Sequence, residues 1–279
     1  MQNRNGKRVI IVSVSSDIGI ALHERWSNSG WDVFGTYRTK TDWVAKNEQK
    51  FVFCDLSDLL SVEKSCLKLN KLCPNWDVLV IAPGLQDPVG PFIDCDFESW
   101  RKSIQVNFIS QMMFVRKLLP YRNTSLPEGS CVLMFAGGGT NSATLNYSAY
   151  TVSKIALIKM TELLAAEIPD TRFTIVGPGW VKTKIHKSTL DAGTRAGDNY
   201  KRTIEKLAGN ECTPMHSVLD CCDWLISSPK KIVSGRNFSV VFDMWGSKEL
   251  EEKLEQEPDM YKLRRYQNEF LIRNNSKTT

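Results

Sequence analysis

The chain has three histidines, no C-x-x-C pair, and no apolar run near the roughly 20 residues that span a membrane. Scattered histidines and unpaired cysteine spacing exclude the usual zinc patterns, so no metal site is expected. The missing long run excludes a membrane helix. The opening "MQNRNGKRVIIV" passes quickly into a strand-length apolar run and does not read as a signal peptide. One-sided charge is lacking too. The net charge is +5 over 279 residues, and acids and bases alternate, which argues against a nucleic-acid stripe. Cysteines 54, 66, 73, 95, 131, 212, 221 and 222 fall largely inside apolar runs, where a reduced thiol packs as a small hydrophobe. A reducing, cytoplasmic setting is the expectation.

What is present is ordinary for a globular chain: 42% apolar and 24% charged residues. Short β-rich runs at 8–14, 31–37, 50–54, 77–82, 131–136, 172–177 and 237–242 alternate with helical patterns near 18–29, 58–72, 99–119, 148–168 and 214–227. The first six runs are almost continuously apolar, as in strands covered on both faces. The alternation predicts an α/β, doubly wound Rossmann-type fold with about seven mostly parallel strands and helices on both faces. One domain over 1–243 is expected, with a polar insert at 183–213 read as a long loop that serves as a substrate lid, and a charged, helical tail at 244–279.

Glycine is scarce at one informative place. A nucleotide-binding fold turns from its first strand to its first helix through glycines, so that the backbone and the helix N-terminus meet a pyrophosphate. Here that turn reads Val12-Ser13-Val14-Ser15-Ser16-Asp17-Ile18-Gly19, and only Gly19 remains. Asp17 reads as the helix N-cap, or as a carboxylate that competes with phosphate for the same donors. The hydroxyls of Ser13, Ser15 and Ser16 offer partial compensation.

Downstream, "AGGGTNSATLNYSAYTVSKIALIKM" (136–160) places Tyr150 and Lys154 one helical turn apart on a common face. An ammonium beside a phenol favours the phenolate, and a phenol so tuned exchanges protons with a carbonyl or alcohol oxygen.

With these residues in this order, the chain resembles the short-chain dehydrogenase/reductase family from about residue 7 to 242. "CDLSD" carries Asp55, "VIAPG" ends in Ala82-Pro83-Gly84, "SWRKSIQVNF" carries Asn107, and "GPGWVKT" carries Val181 and Thr183. The resemblance implies Tyr150, Lys154 and Asn107 as catalytic residues. It implies dinucleotide contacts from Ser13, Ser15, Ser16, Ile18, Asp55, Leu56, Ala82, Pro83, Gly84, Tyr150, Lys154, Val181 and Thr183. The family's catalytic serine position is Gly137, and the expected substitute is Thr140 or Ser142 on the same loop, or a backbone N–H of the glycine run. Tyr37 stands at the place of the acid that NAD-users carry, and Arg38 follows it. An arginine there suits a 2′-phosphate, so NADP(H) is expected over NAD(H).

Between 182 and 206 seven bases face three acids, which hints at an anionic substrate. In the tail, Met260, Leu263, Phe270 and Leu271 fall on one helical face and are expected to dock on the body or on a partner subunit. The tail and the "FAGGG" loop are similar to reductases of bacterial surface-carbohydrate synthesis. The resemblance further implies a homodimer or homotetramer through the helices near 100–119 and 148–168. The leading expectation is hydride transfer between nicotinamide and a small carbonyl or alcohol, with neither nucleic acid nor membrane as partner. The competing reading is a catalytically impaired homologue that senses a dinucleotide or serves as a structural subunit.

Overall fold

The computed structural model describes residues 6–265. Seven strands lie in one sheet among these residues: β1 (Arg8–Val12), β2 (Asp32–Tyr37), β3 (Phe51–Phe53), β4 (Val78–Ile81), β5 (Ser130–Phe135), β6 (Thr171–Gly177) and β7 (Asn237–Ser239). Their order is β3-β2-β1-β4-β5-β6-β7, and every neighbouring pair is parallel. The chain switches direction across the sheet between β1 and β4, so a crevice opens at the carboxyl ends of those strands.

Eleven α-helices accompany the described strands: α1 (Asp17–Asn28), α2 (Asp42–Ala45), α3 (Leu59–Leu72), α4 (Phe97–Ile104), α5 (Ser110–Leu118), α6 (Ser148–Glu167), α7 (Lys187–Ala192), α8 (Asp198–Ala208), α9 (Met215–Ser227), α10 (Lys230–Val233) and α11 (Lys248–Gln256). The apolar runs of the central strands divide by the period of two. Val9, Ile11, Val78, Val80, Cys131 and Leu133 enter the core shared with Leu22, Trp26 and Leu225. Ile10, Val12, Leu79, Ile81, Val132 and Met134 enter the opposite core with Leu69, Phe114 and Leu157. Each such side chain contributes about 1.5–3 kcal/mol through burial. On the first face, Arg25 of α1 pairs with Asp220 and Asp223 of α9 at 2.6 and 2.7 Å, and Trp26 donates its indole N–H to Asp223. Six of the eight cysteines are buried.

Three expectations change. The helix expected over 99–119 is interrupted by a π-helical turn at Gln105–Ile109, where the Ser110 amide reaches back to the Gln105 carbonyl. The polar insert is largely helical rather than a loop. Gly193 and Gly197, both with φ near +60°, cut it into α7, a short 3₁₀ turn and α8, which breaks up the helical period in sequence. In the tail, α11 ends at Gln256. Met260 and Leu263 therefore do not share a helical face: Met260 packs against one core and Leu263 against the other, while Phe270 and Leu271 lie outside the described residues.

Candidate active site

The β1–α1 turn forms without most of its glycines because Ser13 itself adopts φ +63°, the left-handed conformation that glycine adopts readily. Thr36 holds the turn down. Its hydroxyl accepts the Ser13 amide at 2.9 Å and its carbonyl accepts the Val14 amide at 2.8 Å. Val14 then lies directly on Gly35, where a Cβ would meet the Val14 side chain at 2.6 Å. Neither Thr36 nor Gly35 was singled out in the sequence, since both look like plain strand residues.

Ser16, not Asp17, caps α1: its Oγ accepts the Gly19 amide at 3.1 Å. Asp17 turns across the crevice instead. Its Oδ2 accepts the Lys184 amide at 2.7 Å, and its Oδ1 lies 3.4 Å from Lys184 Nζ. Ser15 and Ile18 are half-buried along the same turn. The first-turn amides of Asp17 and Ile18 have no partner within the helix.

At the sheet edge, Arg38 is exposed just beyond β2, and Asp55 follows β3. One oxygen of Asp55 accepts both the amide and the hydroxyl of Ser57, at 2.9 and 2.8 Å. Those bonds, first the amide, and then the charge of Arg38 hold the Asp55 carboxyl below its usual range. Leu56 is buried, and its carbonyl accepts from Ser110 Oγ at 2.7 Å.

The three central candidates converge on the segment after β4. Asn107 is fully buried on the π-turn. Its Oδ1 accepts the Leu85 amide at 2.8 Å, and its Nδ2 donates to the Leu85 carbonyl at 2.7 Å and to Ser103 Oγ at 3.1 Å. Lys154 is 2% exposed and donates to the carbonyls of Pro83 at 3.2 Å and Phe135 at 2.9 Å. Its ammonium lies 5.8 Å from the centre of the Tyr150 ring. Gln111, also fully buried, shares the Pro83 carbonyl with Lys154 at 3.2 Å. Sequence reading missed Gln111, because no polar residue four positions past Asn107 stands out from a helical pattern.

The expected lowering of the Tyr150 pKa by Lys154 is not what this geometry produces. Burial pushes the phenol up to about 12 and pulls the lysine down to about 7. Desolvation penalises the charged form of both groups, and the ammonium spends its donors on backbone carbonyls.

Gly137 lies beneath Tyr150. A Cβ there would meet the phenol ring and its oxygen at 2.7–2.9 Å, so the ring fills the space of a serine side chain. Thr140 is half-buried and makes no hydrogen bond to Tyr150, and Ser142 is exposed. The hydroxyl folded onto the glycine run is that of Thr144, whose Oγ1 is 3.2 Å from a Cβ built on Gly139.

The segment after Gly177 closes the other side. Trp180 stacks on His186 with ring centres 3.8 Å apart, Lys206 lies over Trp180, and His186 Nε2 bonds the carbonyl of buried Val181 at 2.8 Å. Burial lowers the His186 pKa. Thr183, half-buried, precedes Ile185, whose Cδ1 lies 3.1 Å from a Cβ built on Gly84. Half-buried Ala82 and buried Pro83 complete that wall. The inner face of the insert carries Thr189, bonded to the Tyr147 hydroxyl at 2.7 Å and to Gln86 Oε1 at 3.2 Å; Ala192, Ala196 and Tyr200 pack with Tyr147 and Tyr150. Of the seven bases counted there, six are exposed, and Lys187 is paired with Asp191 at 2.6 Å.

This arrangement supplies a buried phenol, an ammonium and a crevice edged by helix-start amides. A family model described as enoyl-(acyl carrier protein) reductase matches residues 12–241. The chain belongs to the short-chain dehydrogenase/reductase family, whose members are NAD(P)-dependent oxidoreductases. The human dehydrogenase/reductase SDR family member 2, mitochondrial, is 26% identical over 249 residues, covering 84% of this chain and 85% of the relative. A short-chain dehydrogenase/reductase from Saccharomyces cerevisiae superposes with a TM-score of 0.73 at 21% identity, covering 88% of this chain and 98% of its own. The aldohexose dehydrogenase of Thermoplasma acidophilum gives 0.70 at 21% identity, covering 85% and 93%. Among the described residues no helix is long and apolar enough to cross a membrane.

Proposed function

We propose that the protein is an NADP(H)-dependent reductase of a small, hydroxyl-bearing carbonyl compound. The observation that carries this reading is the convergence of Tyr150, Lys154 and Asn107 on the segment Pro83–Leu85. The residues fit a dinucleotide. Left-handed Ser13 shapes the turn, Asp55 keeps one carboxylate oxygen for an adenine amino group, and exposed Arg38 stands where a 2′-phosphate would lie. Ser15, Ser16 and Ile18 would line the pyrophosphate, Leu56 the adenine, and Ala82, Pro83, Gly84, Val181 and Thr183 the nicotinamide half.

The bound nicotinamide supplies the hydride. The chain supplies the proton. A phenol that titrates near 12 stays protonated at neutral pH and serves as general acid, which favours reduction. Asn107 fixes the backbone after β4, and Lys154 ties it to β5. Tyr147, Thr189 and Gln86 form a linked set of hydroxyl and amide groups near Tyr150, and half-buried Gln86 is the member that a hydroxyl-bearing substrate would reach first. The exposed bases of the insert lend less support to an anionic one.

One observation favours the impaired reading. Gly137 offers no hydroxyl, and the Tyr150 ring occupies the space where one would stand. A homo-oligomer is supported by Val152 and Leu163, eleven residues apart along α6 and both exposed.

Calorimetric titration with NADPH and NADH, followed by NADPH oxidation against hydroxyaldehydes and hydroxyketones, tests the proposal. The expected result is tighter NADPH binding, and turnover that Tyr150→Phe reduces by about 10²–10⁴ while affinity holds. Tight binding with no turnover of any carbonyl would favour the impaired homologue.

A further inference from the structure

Asp17 and Lys184 are 167 residues apart in sequence, yet two contacts join them across the mouth of the crevice. Ser16 already caps α1, so the Asp17 carboxylate is not needed for the helix start. It receives both nitrogen donors of Lys184, the amide at 2.7 Å and the ammonium at 3.4 Å. The neighbouring lysines are committed elsewhere: Lys182 Nζ donates to the Gly209 carbonyl, and Lys187 closes on Asp191. Lys184 is therefore the base of this stretch that faces the β1–α1 turn. Its two donors meet on one anionic group. In this chain that group is a carboxylate, at the place where the fold sets a dinucleotide phosphate.

We infer that Lys184 is a ligand for the dinucleotide pyrophosphate and that Asp17 is the anion it releases when the cofactor enters. The inference rests on the dinucleotide reading above. Asp17 and a phosphate oxygen compete for the same two donors, so the carboxylate acts as a built-in competitor. Because the pyrophosphate is common to both nicotinamide cofactors, the effect is the same for NADPH and NADH. This separates it from Arg38, whose proposed partner occurs only in NADPH. Breaking the Asp17 contact also frees the segment 183–187 that carries Ile185 onto Gly84.

The test is a titration of the full chain with NADPH and NADH at low and high salt, for wild type, Asp17→Ala, Lys184→Met and the double variant. Asp17→Ala is expected to tighten both cofactors roughly three- to tenfold, and Lys184→Met to weaken both by a like factor and flatten the salt dependence. In the Lys184→Met background the gain from Asp17→Ala shrinks. Hydrogen exchange without dinucleotide gives a second readout: the peptide covering 183–187 exchanges faster in Asp17→Ala than in wild type. Wild-type affinity in Lys184→Met, or unchanged exchange in Asp17→Ala, overturns the inference while the dinucleotide reading stands. If neither wild type nor Asp17→Ala binds either cofactor, both fail together.

Discussion

The Tyr150 phenol rests on the Cα of Gly137, closer than any side chain at 137 would permit. The glycine and the position of the ring form one arrangement. Restoring the family's serine therefore meets an occupied space. Gly137→Ser is expected to lower stability by about 1–3 kcal/mol through overpacking and to bring no gain in turnover. Denaturant midpoints and initial rates measure both; a variant of equal stability and higher rate would show that the ring yields without loss.

Ser13 holds a left-handed backbone that costs an L-residue about 1–2 kcal/mol. Ser13→Gly removes that strain and leaves the Thr36 contact to the amide intact. A gain of roughly 1 kcal/mol is expected, about 2–4 °C in Tm for a domain of this size. No gain in a thermal scan would mean that the serine side chain offsets the strain.

Arg38→Gln should weaken NADPH about tenfold or more and change NADH less than twofold, since a guanidinium pairs with the 2′-phosphate and glutamine carries no charge. Parallel titrations measure this. Equal losses for both cofactors would move Arg38 from phosphate to adenine.

Burial brings the Lys154 ammonium down to about 7 in the folded chain, from the usual 10.5 of a free lysine. Between those values the unfolded chain holds one more proton, so stability rises with pH by about 1.4 kcal/mol per unit from this group. Lys154→Met removes that contribution. Unfolding free energies at pH 7 and pH 9 should climb more steeply in wild type than in the variant, and parallel slopes would place the lysine's pKa near its usual value. Tyr150 acts oppositely, and only above about pH 10, because its folded value lies above the unfolded one.

The strands and the Tyr150–Lys154 spacing are legible in sequence because both repeat with the period of their elements: alternate residues for Val9 through Val12, and one helical turn between Tyr150 and Lys154. The occupant of a backbone conformation is not legible in the same way. Ser13 in a glycine's φ, and Thr36 accepting two amides beneath it, follow from how β2 passes under the turn. Asp17 reads locally as a cap, and its partner Lys184 comes from the far end of the sheet. The lysine's pKa depends on the depth to which α6 is buried, which one residue's neighbours in sequence do not reveal. The glycines at 193 and 197 hid two helices by interrupting their pattern.

Arg236 has consequences for where the chain ends its work. Its guanidinium is buried before β7 and donates to the carbonyls of Lys231, Ile232, Leu254, Glu257 and Met260. Three of those acceptors lie beyond residue 243, in α11 and the turns after it. Among the described residues its acceptors are carbonyl oxygens, and no carboxylate pairs with it. Shortening the protein to its strand-bearing part would strand a cation inside the fold. The segment that follows β7 thus behaves as a plug that holds the final strand in place.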